Sequence, residues 1–252
     1  MTAEIESRLR HLRGVAPPLL VASVEVGTGL VEGYAPYQSP LGEVVVTFNP
    51  RGVSSVDLAL GDFEERFFGR RGKRLTRALP PAEWQRLIGK ALEKGNPGDL
   101  PLDLGSLSGF RRQVLETAGT IPRGQVRPYS WLAAQMGRAG AARAVGSTMA
   151  HNPVPLIIPC HRVVRSDGRI GEYSLGGPEN KWSLLRSEGA DPEHLEELAS
   201  RGVRYLASDS TRIFCLPTCR NARRITETHL VRFTTKESAA SSGYHPCRIC
   251  LP

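Results

Sequence analysis

The spacing of its cysteines constrains this chain more than any other feature of the sequence. Cys215-x3-Cys219 and Cys247-x2-Cys250 are separated by 27 residues, while the fifth cysteine, Cys160, stands alone far upstream. Four cysteines paired at two short spacings have the arithmetic of a metal site, because zinc takes four thiolates tetrahedrally at about 2.3 Å. A stretch of about fifty residues has too small a core to fold readily alone, so the metal would supply much of its folding free energy. Residues 205–252 are therefore expected to form a small zinc-bound α+β module held by Cys215, Cys219, Cys247 and Cys250. His229 and His245 are further donors that four cysteines leave unneeded.

The whole sequence has 252 residues, 40% of them hydrophobic, enough for buried cores without disulfides. No apolar run approaches the ~18–20 residues needed to cross a bilayer. The opening MTAEIESRLRHLRG is a charged amphipathic segment, not a signal peptide. The expectation is a soluble, cytoplasmic monomer with no membrane partner. The formal net charge of +8 suggests a polyanionic partner, although charge alone speaks only to non-specific attraction. Its distribution says more. Residues 201–252 carry nine basic and three acidic side chains, and residues 107–150 hold six arginines against the single Glu116.

Residues 41–48 (LGEVVVTF) and 53–60 (VSSVDLAL) read as strands, and 82–94 (AEWQRLIGKALEK) as a helix stopped by Gly95-Asn96-Pro97-Gly98. Residues 31–104 thus form a small α/β unit behind an extension, 1–30, and a mainly helical domain runs over 105–190. There Ser108 caps a helix whose Phe110, Val114, Leu115 and Ala118 share one face up to Gly119. Residues 129–136 and 140–149 make two short helices, the outline of a helix-turn-helix. The second is rich in small residues, Ala144 and Gly146 among them, which let a helix backbone approach a groove closely; Arg143 is its one long cation. NPVPLIIPCHRVV then reads as a rigid turn and a short apolar strand, 156–158, leading to Cys160. Pro178 opens a helix that ends at Gly189, and residues 191–204 read as a linker.

A thiolate is the reactive form of cysteine, and it exists near neutral pH only if a nearby base, cation or helix N-terminus lowers the thiol pKa from about 8.5. His161 adjoins Cys160, and Glu188 is available to orient that histidine; such a Cys-His-Glu set is the arrangement of an activated nucleophile. A lone cysteine beside an apolar segment is otherwise inert core.

The ordered segments ARAVGSTMAHNPVP, IPCHRVV, GEYSLGG and LLRSEG closely resemble the methylated-DNA-protein-cysteine methyltransferases, or O6-alkylguanine-DNA alkyltransferases. The resemblance implies an RNase H-like α/β N-terminal domain and a winged helix-turn-helix-like catalytic domain. It implies a single-turnover S-methyltransferase that acts on double-stranded DNA bearing alkylated bases and needs no organic cofactor. Cys160 would take the alkyl group from the O6 oxygen of guanine, with O4 of thymine as a further target. His161 would be a water-mediated base, Glu188 its orienter, and Asn152 the residue that fixes the turn. Tyr129 would rotate the nucleotide phosphate and assist proton transfer, and Arg143 would enter the duplex in place of the extruded base, with Ala144 and Gly146 beside it at the DNA. Tyr173, Ser174, Met149 and Val163 would line the guanine pocket. The target atom lies inside the base stack, so the nucleotide must be flipped out, at a cost of a few kcal/mol that an inserted side chain offsets.

Two departures stand out: Pro128 precedes Tyr129 where a serine is common, and Leu175 separates Ser174 from Gly176-Gly177. The segments IFCLPTC and GYHPCRIC resemble the metal-binding module of the Ada DNA-repair proteins, there placed before the alkyltransferase part instead of after it. That resemblance makes Cys215 a second methyl acceptor, from methylphosphotriesters of the DNA backbone. A purely structural zinc module that adds DNA affinity through Arg220, Arg223 and Arg224 fits the same residues. Nothing here resembles the separate regulatory domain of Ada, so a transcriptional role is not expected. A rival of another class is a non-catalytic lesion-binding protein with a zinc tail for tethering to DNA. Such relatives carry another residue, commonly tryptophan, where Cys160 stands.

Overall fold

The run Val44-Val45-Val46 lies in β2 (Gly42–Asn49), a strand covered on both faces, in the computed structural model, which describes residues 18–252. Val44 and Val46 face the main core, while Val45 packs on Phe63 and Phe67 of α2 (Phe63–Arg71). A strand buried on both sides reads as an unbroken apolar run. β2 pairs antiparallel with β1 (Glu32–Ser39) and β3 (Gly52–Leu58), and the short β4 (Leu75–Arg77) joins β1 in parallel, giving the order β3-β2-β1-β4. On the core side lies α3 (Ala82–Lys94), which buries Ile88, Ala91 and Leu92 and stops at Gly95, whose φ is +60°. α1 (Pro18–Gly27) sets Ala22 and Val26 against Phe48. Residues 1–17 of the expected extension lie outside the described residues.

β1 escaped the sequence reading because its composition looks like a turn. A Cβ at Gly33 would lie 2.5 Å from the Phe48 ring, so the strand needs glycine there. Pro36 falls beyond Glu32–Tyr34, the part that β4 pairs with, on an open edge where a proline is tolerated.

The helices that follow share the core of this sheet. In α4 (Gly109–Gly119), Ser108 Oγ accepts from the Arg111 N–H at 3.4 Å, and Val114, Leu115 and Ala118 are buried. α5 (Tyr129–Gln135) and α6 (Ala142–Ala150) are joined through a 3-10 turn, Ala139–Ala141. One continuous cluster contains Val44, Val46, Val53 and Val56 of the sheet together with Val114, Leu115, Leu132, Val145, Ile157 and Cys160. α7 (Pro178–Ser187) is followed by Gly189 with φ +80°.

Two segments differ from the sequence reading. Residues 156–158 are a tight turn, not a strand: Leu156 has φ +70°, and Pro155 and Ile158 form an isolated bridge. Burial made the run apolar, and periodicity does not separate a buried turn from a buried strand over three residues. The expected linker contains α8 (Pro192–Ser200), capped by Asp191, whose carboxylate accepts the His194 N–H at 2.9 Å. Leu198 of this helix packs with the four clustered cysteines. The tail sheet runs β10-β8-β7-β9, from β7 (Tyr205–Ser208), β8 (Ile213–Cys215), β9 (Leu230–Phe233) and β10 (His245–Pro246), beside α9 (Lys236–Ser241). Between the two halves, β5 (Arg127–Pro128) pairs in parallel with β6 (Val163–Val164). Among the described residues no helix is long and apolar enough to cross a membrane.

Candidate active site and cysteine centre

Asn152 builds the turn that presents Cys160. Its side-chain oxygen accepts the Val154 N–H at 3.1 Å; its amide donates to the Ile158 carbonyl at 2.9 Å and reaches Cys160 Sγ at 3.2 Å. The positive φ of Leu156 lets the chain close within this staple. Cys160 then opens a 3-10 turn, Cys160–Arg162, and lines a cavity of about 180 Å³ with Tyr129, Met149, Ala150, Glu172, Tyr173 and Ser174.

Behind the sulfur, His161 Nε2 lies 2.9 Å from Glu188 Oε1, and Nδ1 is buried with no hydrogen-bond partner. A carboxylate accepts only, so Nε2 carries the proton and Nδ1 presents its lone pair. Burial tends to raise the Glu188 pKa, but the hydrogen bonds from His161 and Arg162 outweigh it and bring the carboxyl down to about 2. Burial lowers the His161 pKa, with Glu188 opposing, so the ring is neutral near pH 7. Burial also pushes the Cys160 thiol up, opposed by the Asn152 hydrogen bond and the Lys181 charge. The resting sulfur is therefore a thiol, and the anion held ready that the sequence suggested must instead be made by proton removal. Adjacency to His161 is visible in sequence; burial of the sulfur at the cavity wall is not.

The four remaining cysteines converge, with their sulfur atoms all within 4.8 Å of one another and every side chain buried. A tetrahedron of thiolates at about 2.3 Å from zinc has edges of about 3.8 Å, which this cluster meets with little adjustment. Backbone N–H groups already face it: Leu216 points at Cys250 Sγ and Ile249 at Cys247 Sγ, each at 3.4 Å.

Residues 109–190 match the family described as 6-O-methylguanine DNA methyltransferase, DNA binding domain, and residues 197–252 match the metal binding domain of Ada. The chain joins these two domains. The methyltransferase part is 50% identical over 80 residues to the methylated-DNA--protein-cysteine methyltransferase of Shigella flexneri, a match covering 32% of this chain and 46% of that protein. The bifunctional transcriptional activator/DNA repair enzyme Ada of Escherichia coli is 33% identical over 178 residues, 66% of this chain and 48% of Ada. The chain thus spans about half the length of the curated relatives it matches. The crystal structure of Mycobacterium tuberculosis OGT in complex with DNA aligns with a TM-score of 0.50 at 29% identity, covering 65% of this chain and 98% of that one. The α/β architecture is an alkyltransferase fold, and the cofactor of the Ada domain is zinc.

Within the methyltransferase domain the structure brings Cys160, His161, Glu188 and Asn152 together and sets Tyr129, Met149, Tyr173 and Ser174 around the cavity. Tyr173 stacks edge-on to His161, its hydroxyl buried without a hydrogen-bond partner, and burial drives its pKa well up. Val163 is not part of the lining: it is fully buried in β6, its carbonyl taken by Lys181 Nζ at 2.8 Å. Leu175 likewise enters the core and not this cavity. Arg143 and Ala144 are exposed on α6 and Gly146 is half-exposed beside Tyr129; Arg143 makes no hydrogen bond or ion pair among the described residues.

Sequence reasoning missed Arg162 and Lys181. Arg162 grips both oxygens of Glu188, at 2.9 and 2.7 Å, and donates to three carbonyls. Lys181 is buried under the site, Nζ bound to the carbonyls of Val163, Ile170 and Glu172, and burial brings its pKa down to about 8. The only advance signal for either was a long cation amid apolar neighbours, in CHRVV and NKWSLL. In the Ada domain, Cys215 lines a cavity of about 390 Å³ with Ser208, Thr211, Arg224, Thr226 and His229 that the other three cysteines do not reach.

Proposed function

We propose that this chain repairs DNA by moving the alkyl group of O6-alkylguanine irreversibly to Cys160. The observation that carries the reading is the orphaned Nδ1 of a neutral His161, locked by Glu188, next to a buried thiol at a cavity wall. His161 takes the thiol proton through a water. The sulfur then attacks the alkyl carbon, an S–C bond forms as the C–O6 bond breaks, and the departing electron pair goes to the guanine oxygen. Tyr129 at the cavity mouth assists the return of a proton to the base. Cys160 is left as a thioether, so each chain acts once. The same chemistry extends to O4 of thymine.

Duplex DNA is the partner. α6 enters the groove with Ala144 and Gly146 against the backbone, and Arg143 fills the space of the everted nucleotide. The α5–α6 pair serves as the helix-turn-helix, with β5 and β6 as its small wing, and the sheet over residues 31–104 as an RNase H-like unit. Tyr173, Ser174 and Met149 hold the base.

In the Ada domain Cys215 is a second acceptor, for a methyl group on a backbone phosphotriester. Its place on a cavity that the other three cysteines do not reach, with Arg224 and His229 in the wall, favours this over a purely structural role. Zinc, when bound, keeps the cysteine ligands deprotonated and thereby nucleophilic.

Peptide mass mapping after incubation with one duplex containing O6-methylguanine and another containing a methylphosphotriester tests both assignments. One methyl on Cys160 with the first and one on Cys215 with the second are expected. Repair by Cys160→Ala, or an unmodified Cys160 after loss of the lesion, defeats the first reading.

A further inference from the structure

The loop 122–126 is held from two sides. On one, Thr218, next to the zinc ligand Cys219, engages Val126 twice: its hydroxyl accepts the Val126 N–H at 2.9 Å and donates to the Val126 carbonyl at 3.2 Å. Arg223, whose N–H donates to the Cys219 carbonyl at 3.1 Å, hydrogen-bonds through its guanidinium to the Gly124 carbonyl. On the other side, the Gly124 N–H donates to Glu188 Oε2 at 3.1 Å, and Arg123 reaches the Ser187 carbonyl at 3.0 Å. Gly124 has φ +73°, and a Cβ there would lie 2.5 Å from the Glu188 carbonyl oxygen, so this residue presses on the end of α7. The loop continues into β5, where Arg127 pairs with Val163 directly after the Cys160–Arg162 turn. Trp131 of α5 adds a tie to the cysteine centre, Nε1 donating to the Cys250 carbonyl at 2.8 Å.

One residue, Gly124, therefore touches both the carboxylate that fixes His161 and the domain that binds zinc. We propose that the Ada domain is a positioning element for the reaction at Cys160: zinc-loaded, it holds loop 122–126 through Thr218 and Arg223, and the loop holds Glu188 and hence His161 in register. The inference rests on the transfer proposed above. Neither Thr218 nor Arg223 lines the Cys160 cavity. Their effect runs through geometry, and a misplacement of about 1 Å at a reacting group costs about 100-fold in rate. Because the metal supplies much of the folding free energy of such a small module, zinc occupancy sets the rate at the distant cysteine.

The test uses the full chain with zinc bound, one ion per chain verified by zinc analysis, as Arg223→Ala, Thr218→Val and the conservative Arg223→Lys and Thr218→Ser. Single-turnover methylation of Cys160 is followed with saturating duplex carrying O6-methylguanine and, separately, with the free O6-methylguanine base, which has no phosphates to bind. Arg223→Ala and Thr218→Val are expected to slow transfer at least about tenfold with both substrates, and Lys and Ser to restore most of it. Chelating the zinc from the unaltered chain gives the same loss with the free base. Should Arg223→Ala release its zinc, Thr218→Val, which removes one hydroxyl at constant bulk, gives the decisive reading. Free-base rates unchanged in the zinc-loaded variants overturn the proposal and leave the domain a tether for DNA. Failure of the unaltered chain to methylate Cys160 at all is a different result, which overturns the proposed function itself.

Discussion

Replacing Arg162 by methionine keeps most of the aliphatic bulk and removes a guanidinium that is 1% exposed. Its Nε and Nη2 form a fork on Glu188, Nη1 donates to the carbonyls of Gly95 and Ile121 at 2.8 Å each, and Nη2 also donates to Lys94 at 2.6 Å. Every one of its N–H groups is used. The substitution leaves a buried carboxylate without its cation, which costs about 3–5 kcal/mol, and orphans three carbonyls at about 1–3 kcal/mol each where water does not enter. A combined loss of about 5 kcal/mol allows for relaxation and non-additivity. It is a large fraction of the ~5–15 kcal/mol that holds a typical domain folded. At about 2–4 °C per kcal/mol for a protein of this size, the melting temperature should fall by at least about 10 °C. Thermal unfolding followed by near-ultraviolet circular dichroism in excess zinc measures this. Arg162→Lys should lie between, since it keeps the charge but not the fork. A midpoint for Arg162→Met within about 3 °C of the unaltered chain would show that this residue does not clamp the site.

Glu188 should stabilise the fold above pH 4.5, and that contribution should fade as pH falls from 4.5 towards 2, because its folded pKa is depressed. Urea midpoints of the unaltered chain and Glu188→Gln should therefore converge between pH 6 and pH 3, and a constant gap contradicts the assignment. Burial lowers the His161 pKa, so the acid limb of the rate of methylation against pH should lie below 6.5; a limb at or above 6.5 rules this ring out as the base. Arg143→Ala should slow transfer from duplex about 10–100-fold while leaving the free-base reaction alone, since only duplex needs a flipped nucleotide. An equal loss with both substrates would place Arg143 in the fold and not at the DNA.

The residues proposed to carry the chemistry were legible because chemistry fixes their type and spacing: the cysteine quartet, Cys160-His161, and Asn152 before a proline turn. The helices over 82–94 and 109–119 were legible through their apolar faces and their Gly95 and Ser108 ends. What stayed hidden depends on contacts distant in sequence. Gly33 makes sense only once Phe48 lies across it, and the turn at 156–158 only once Asn152 spans it. Arg162 reads as an ordinary cation until Lys94, Ile121 and Glu188 surround it. The protonation of Cys160 likewise follows from enclosure, which adjacency to a histidine does not reveal.

The shared interior of sheet and helices has a consequence for how this molecule fails. The reactive half does not close its main interior alone: Val44, Val46, Val53 and Val56 supply one wall of the room in which Val114, Leu132, Val145 and Ile157 sit. A chain begun near residue 105 would lack that wall and bare Val114, Val145 and Ile157 to water, and with them the underside of the turn bearing Cys160. Melting of the two parts should thus be a single event, and a cavity cut into β2 would loosen the Cys160 turn although the two lie far apart in sequence.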